Sequence, residues 1–281
     1  MTTPLVSVDW LASHYDDPHV RLIDTRWYLL EPQRGAAEYC SSHIPGAVYL
    51  DVAADLSGPP GSGPGRHPLP DASAFAATAS RAGIAADTHV VAYDLPGGMA
   101  ATRLWWLLRA YGHEAVSVLD GGWQAWCSAG YPTSDQPITP SRAVFVPRWR
   151  DGLTIDADGV AAACASPGTV LLDSRAAERY AGRVEPLDPR AGHIPGARSA
   201  HFSGDVAANG RLVSAAALAA RYDALGATDA AQVICYCGSG VSATHTIFAL
   251  HLIGRAALLY PGSWSDWSSD PARPIATGDE P

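Results

Sequence analysis

Short apolar runs alternate with alanine-rich, helix-patterned stretches along most of this 281-residue chain. Val20–Ile23, Val90–Tyr93 and Val116–Leu119 in the first half read as buried parallel strands, as do Val170–Leu172, Val233–Tyr236 and Ala257–Tyr260 in the second. Between them, Ala72–Ala82, Thr102–Tyr111, Ala215–Leu225 and roughly Ser242–Leu252 carry helical patterns. Strands alternating with helices predict an α/β class, with open parallel sheets covered by helices on both faces. Leu56–Pro70, rich in Gly and Pro, reads as an irregular loop.

The pattern occurs twice. Leu22-Ile-Asp-Thr-Arg26 returns as Leu171-Leu-Asp-Ser-Arg175, and His43-Ile-Pro-Gly-Ala47 returns unchanged at His193–Ala197. Val90-Val-Ala-Tyr-Asp94 aligns with Val233-Ile-Cys-Tyr-Cys237, and Asp120-Gly-Gly-Trp123 with Pro261-Gly-Ser-Trp264. The offsets are 149, 150, 143 and 141, so the order holds with only short insertions. A duplicated domain follows, with copies at 1–138 and 139–281 and a linker at about 131–155. His43 and His193 occur in both copies and read as structural. The tryptophans of these blocks read as packing residues.

Composition narrows the partners. The formal net charge of −9 excludes a phosphate-binding basic face, so no nucleic acid is expected. No apolar run is long enough to span a membrane, and the N-terminus lacks a secretion signal. The five cysteines, at 40, 127, 164, 235 and 237, show neither a disulfide framework nor metal spacing. A reduced, cytoplasmic protein without metal or organic cofactor is expected, and two fused domains make a monomer the default.

The chemistry concentrates at Cys237-Gly-Ser-Gly-Val-Ser-Ala243, between an apolar strand and a helix. Small residues let such a loop curl with its N–H groups inward, and the helix N-terminus favours a thiolate. The carboxyl edge of a parallel sheet is also where ligands bind. Cys237 is therefore the candidate nucleophile. Cys235, two residues earlier on the strand, reads as a buried structural thiol.

Taken together, these tandem blocks resemble the two-domain rhodanese-fold sulfurtransferases, from about Val8 to Ile275. The loop is similar to the 3-mercaptopyruvate-using form of that family, with Ser242 where a threonine is usual. The resemblance implies a catalytically inactive first copy, which agrees with Asp94 standing opposite Cys237. It also implies that Cys237 takes sulfur from a small-molecule donor, forms a persulfide, and passes the outer sulfur to cyanide or a thiol such as thioredoxin. It assigns catalytic partners to Ser239 and His67, and donor contacts to Arg179, Arg190, Gly238, Gly240, Val241 and Ser242. Arg183 is a rival to Arg190. The family's carboxylate behind the histidine is missing, because Asp51-Val-Ala53 replaces Asp-x-Asp; Asp51 and Asp55 are the available substitutes.

Rival functions leave different traces. A thiosulfate-preferring enzyme carries basic residues after the cysteine, where this chain has Gly238 and Ser239. A phosphatase needs a longer loop closing on an arginine, and none follows until Arg255. A non-catalytic persulfide carrier would have no need of arginines poised for a small anion.

Overall fold

The computed structural model describes residues 3–164 and 166–281. The chain divides into two compact units. The first comprises Met1–Gly58, Pro70–Arg150 and Val206–Leu212; the second comprises Pro59–Leu69, Asp151–Asp205 and Val213–Pro281. Each unit thus takes in a short segment from the other half of the sequence. For the second unit that segment includes His67.

In the first unit the elements run β1 (Leu5–Val6), α1 (Val8–Ala12), β2 (Val20–Asp24), α2 (Arg34–Ser41), β3 (Val48–Tyr49), α3 (Ala72–Arg81), β4 (His89–Tyr93), α4 (Met99–Ala110), β5 (Val116–Leu119) and α5 (Gly122–Ser128). The five strands are all parallel, in the order β1-β5-β4-β2-β3. Helix starts are marked by side-chain caps: Ser7 Oγ accepts from Trp10 N–H, and Asp71 Oδ1 from Ala74 N–H. The core gathers Leu22, Val91, Tyr93, Leu119 and Trp126, all at most 2% exposed. Burying side chains of this kind contributes about 1.5–3 kcal/mol each.

The second unit runs α6 (Ala157–Cys164), β6 (Thr169–Asp173), α7 (Ala177–Tyr180), β7 (Ala197–Ser199), a 3₁₀ turn (Phe202–Asp205), α8 (Ala215–Ala224), β8 (Gln232–Tyr236), α9 (Ser242–Leu252), β9 (Leu258–Leu259) and α10 (Ser263–Trp267). Its sheet is parallel with the order β7-β6-β8-β9. This reproduces β3-β2-β4-β5, and a lone parallel bridge, Thr154 to Leu259, stands where β1 joins the first sheet. Tyr236, Trp264 and Trp267 fill the core around Leu171 and Ile234. Helix α9 is buried over most of its length, so its sequence shows little amphipathic contrast.

The repeated motifs have the same structural work in each unit. Arg26 pairs with Asp24, Nη2 to Oδ2 at 2.7 Å, and reaches the carbonyl of Ser42; Arg175 pairs with Asp173 at 2.7 Å and reaches that of Gly192. His43 stacks on Tyr39 and His193 on Tyr180, and each ring Nδ1 bonds the carbonyl of the tyrosine on which it stacks. Buried ion pairs and histidines anchored through Nδ1 in this way fix loops, while Nε2 of both rings is buried without a hydrogen-bond partner.

The stretch 131–150, expected as part of a linker, holds no regular element but is bonded along the first unit. Ala143 N–H donates to Ser80 O, Arg148 N–H to Tyr111 O, and Phe145 is buried against Phe75. Leu56–Pro70 likewise forms neither helix nor strand.

Candidate active site

Strand β8 ends at Tyr236, and Cys237 is the next residue, at the carboxyl edge of the sheet. The chain then turns through Gly238, Ser239, Gly240 and Val241 into α9, whose first residue is Ser242. Gly240 has φ +77°, and a Cβ there would lie 2.7 Å from the carbonyl of Pro261, so the turn requires glycine. The result aims the Gly240 N–H at Cys237 Sγ, 3.1 Å away. An amide donor and a helix start both support negative charge on that sulfur.

The block Pro261-Gly-Ser-Trp264 braces the other side. Ser263 Oγ accepts the Cys237 N–H at 3.1 Å and donates to Tyr260 O at 2.9 Å. Trp264 N–H and Ser265 N–H donate to the carbonyls of Cys237 and Gly238. Ser263 is the one non-glycine residue with positive φ among the described residues, at 54°. Its counterpart in the first unit is Gly122, at φ 55°. A serine held in the left-handed region beside Cys237 is strain kept in place by its hydrogen bonds.

Within the second unit, the segment 59–69 delivers two side chains to this loop. His67 Nδ1 and Ser239 Oγ share a hydrogen bond of 2.7 Å, and both residues are buried. Arg66 comes from the adjacent position, with its own N–H donated to Ser265 Oγ. A Cβ built on Gly238 would lie 3.1 Å from Arg66 Nη2 and 3.3 Å from Arg179 Nη1, so two guanidiniums face the residue after the cysteine. Arg179 is also held from behind: its Nη2 meets Glu185 Oε1 at 2.7 Å and Asp188 Oδ2 at 3.0 Å. Asp188 pairs through its other oxygen with Arg66. Burial pushes the Asp188 carboxyl above its ordinary range against the pull of the two arginines.

Of the residues expected at the site, Cys237, Gly238, Ser239, Gly240, Val241, Ser242, His67 and Arg179 are gathered here. Arg190 is committed elsewhere. Its guanidinium donates to the carbonyls of Ser268 at 2.8 Å, Arg273 at 3.0 Å and Trp267 at 3.2 Å, and also to that of Asp270. That is the role of a cation closing the C-terminal end of α10, whose last carbonyls lack partners within the helix. Arg183 pairs with Asp279 on the surface. Arg66 was not singled out from the sequence, although its place directly before His67 was the available signal.

Asp51 and Asp55 have local duties in the first unit. Asp51 Oδ1 accepts the N–H groups of Ala53 and Ala54 at 2.8 Å, while Asp55 pairs with Arg81. Cys235 is fully buried, and desolvation pushes its thiol well above the ordinary range, with Asp205 and Cys237 adding to the effect. It is an inert neighbour.

The first unit shows what becomes of the loop without a cysteine. Asp94 stands after β4 as Cys237 does after β8, and Tyr93 and Tyr236 each accept an N–H from the neighbouring Ile-Pro-Gly turn. Asp94 Oδ2 takes the N–H groups of Ala100 and Ala101, at 2.7 and 3.1 Å, at the start of α4. Here the helix N-terminus receives the protein's own carboxylate. Oδ1 is buried with no hydrogen-bond partner, and desolvation raises the carboxyl to about 7. Such a residue cannot carry a sulfane sulfur.

This arrangement, a buried cysteine at a strand end in one of two tandem α/β units, has a matching family. The rhodanese-like domain signature covers residues 7–129 and 156–270, and the chain belongs to the rhodanese-like family. Two relatives whose names are provisional are each 42% identical. One is a Pseudomonas aeruginosa 3-mercaptopyruvate sulfurtransferase, matched over 98% of both chains. The other is a Mycobacterium tuberculosis thiosulfate sulfurtransferase, SseB, matched over 93% of this chain and 92% of the relative. The crystal structure of SseA from Escherichia coli, described as a 3-mercaptopyruvate sulfotransferase, superposes with TM-score 0.83 at 34% identity, covering 94% of this chain and 100% of SseA. Matched end to end by such relatives, the chain is a sulfurtransferase enzyme.

Proposed function

We propose that the enzyme moves a sulfane sulfur from 3-mercaptopyruvate, through a persulfide on Cys237, to a thiol or cyanide, releasing pyruvate. The observation that carries this reading is the Gly240 N–H on Cys237 Sγ, with Ser239 of the same loop bonded to His67 from the segment 59–69. Cys237 attacks the donor sulfur as a thiolate, and the carbon–sulfur bond breaks with its electron pair on carbon. The leaving enolate takes up the proton carried on the sulfur, giving pyruvate, and Cys237 is left as the persulfide. His67 and Ser239 are placed to pass that proton. Loop amides hold the negative charge on the outer sulfur until an acceptor takes it and regenerates the thiolate. No step calls on a metal or organic cofactor.

The donor's carboxylate falls to Arg179, whose planar fork suits it. With Gly238 and Ser239 beside the cysteine, thiosulfate serves as the poorer second donor. The acceptor is a small thiol or a protein dithiol such as thioredoxin, and the enzyme works as a cytoplasmic monomer.

Steady-state rates with both donors, together with mapping of the bound sulfur by mass spectrometry, provide the test. Mercaptopyruvate is expected to give the higher kcat/KM, with the sulfane sulfur on Cys237. Cys237→Ser is expected to be inactive while Cys235→Ser keeps most of the activity. A preference for thiosulfate, or sulfur mapped to another cysteine, would overturn the reading.

A further inference from the structure

We propose that the stretch 142–150 of the first unit is a docking strip for an extended, carboxylate-rich segment of another protein. Burial alternates along it. Phe145 is buried against Phe75, and the N–H groups of Ala143 and Phe145 donate to Ser80 O and Ser80 Oγ. On the intervening positions Val144 and Val146 stand 78% and 64% exposed. Arg142, Arg148 and Arg150 are exposed on the same alternate positions. A period of two is that of an extended chain with one side bound and the other open. The open side includes main chain, since the N–H and C=O groups of Val144 and Val146 enter no backbone hydrogen bond among the described residues.

Charge sets this strip apart from the rest of the molecule. Residues 136–150 hold three arginines and no acidic residue, in a chain whose formal net charge is −9. Glu114 pairs with Arg109 and Arg150, but Arg142 and Arg148 have no ion pair among the described residues. These features select the partner. Valines with open main-chain groups suit an added strand, which bonds through its backbone and packs alternate side chains. Arginines on either side of them suit carboxylates on that strand, and two-point pairing fixes its register. A second copy of this chain would set the same arginines against each other. A phosphate backbone has no use for the central valines, and a lipid surface offers no ladder of donors and acceptors to match the free main chain.

The test uses the full chain and a fluorescein-labelled synthetic peptide of alternating Glu and Val, as long as the strip, followed by anisotropy. Saturable binding that weakens as salt rises is expected, because exposed charges are screened. Arg142→Glu combined with Arg148→Glu is expected to weaken it about tenfold or more. Sulfur transfer by that variant should stay within about twofold of wild type, because neither arginine belongs to the candidate active site. Two further peptides are tested on the wild-type enzyme, so they decide the matter even if the double variant misfolds. Replacing every Glu by Gln should weaken binding to a similar extent, and N-methylation at alternate residues should abolish it by blocking one edge of the added strand. Hydrogen exchange at the amides of Val144 and Val146 should slow when the peptide binds. Absence of saturable binding, equal binding of the Gln peptide, or tighter binding of phosphatidylserine vesicles or a single-stranded oligonucleotide would overturn the proposal.

Discussion

Replacing Asp94 by asparagine should stabilise the first unit at neutral pH and leave it nearly unchanged in acid. Asp94 is buried with one oxygen bonded to two amides and the other unpartnered, and its carboxyl is raised from 3.8 to about 7 by desolvation, with Asp24 adding to it. The folded state therefore holds its proton more tightly than the unfolded chain. Stability is full below the unfolded value of 3.8, falls as pH rises from 3.8 to about 7, and is flat above. The whole penalty is about 4 kcal/mol, at about 1.4 kcal/mol for each pH unit in that window. Asparagine keeps the oxygen that accepts from Ala100 and Ala101 and has no charge to bury, so the slope vanishes. The difference between the variant's stability changes at pH 8 and pH 5 should then be about 2–3 kcal/mol, with asparagine's own hydrogen-bond cost cancelling. Urea titrations at both pH values give the totals. Hydrogen exchange of peptides spanning β4 and α4, compared between variant and wild type at the same pH, assigns the change to the first unit. A stability change equal at the two pH values would refute the reasoning.

Arg190→Ala should destabilise the second unit by about 2 kcal/mol, because the carbonyls at the end of α10 lose a charged donor. Its KM for mercaptopyruvate should stay within about twofold of wild type, and a large KM rise without loss of melting temperature would return Arg190 to the donor site. Ser263→Gly relieves the left-handed serine but releases the Cys237 amide, so melting temperature should hold within a few degrees while kcat falls several-fold. A parallel loss of both would mean that Ser263 serves only the fold.

The strand-loop-helix around Cys237 was legible because its determinants lie within one stretch of chain. An apolar run fixes β8, Gly240 fixes the turn, and the next apolar run fixes α9. The repeat was legible for the same reason, since each block forms one turn or one strand end and recurs as a unit. The short strands were harder. β1, β3, β7 and β9 are two or three residues long, and their strand character comes from the neighbour each pairs with rather than from any period of their own.

Side-chain partnerships depended wholly on the tertiary structure. Arg190 lies close in sequence to Arg179, yet α10 turned its carbonyl ends toward it, and a guanidinium goes where unpaired acceptors are nearest. Arg66 lies in the other half of the sequence, but the second unit incorporates the segment 59–69 and so brings it over Gly238. The sequence by itself determined where Cys237 stands, the loop that carries it and the aspartate, Asp94, at the matching place in the first copy. Which arginines face Gly238, what holds them, and why Ser263 tolerates positive φ beside Cys237 were decided only by folding. Those choices depend on acceptors brought together from distant positions, and no local pattern of residues encodes that proximity.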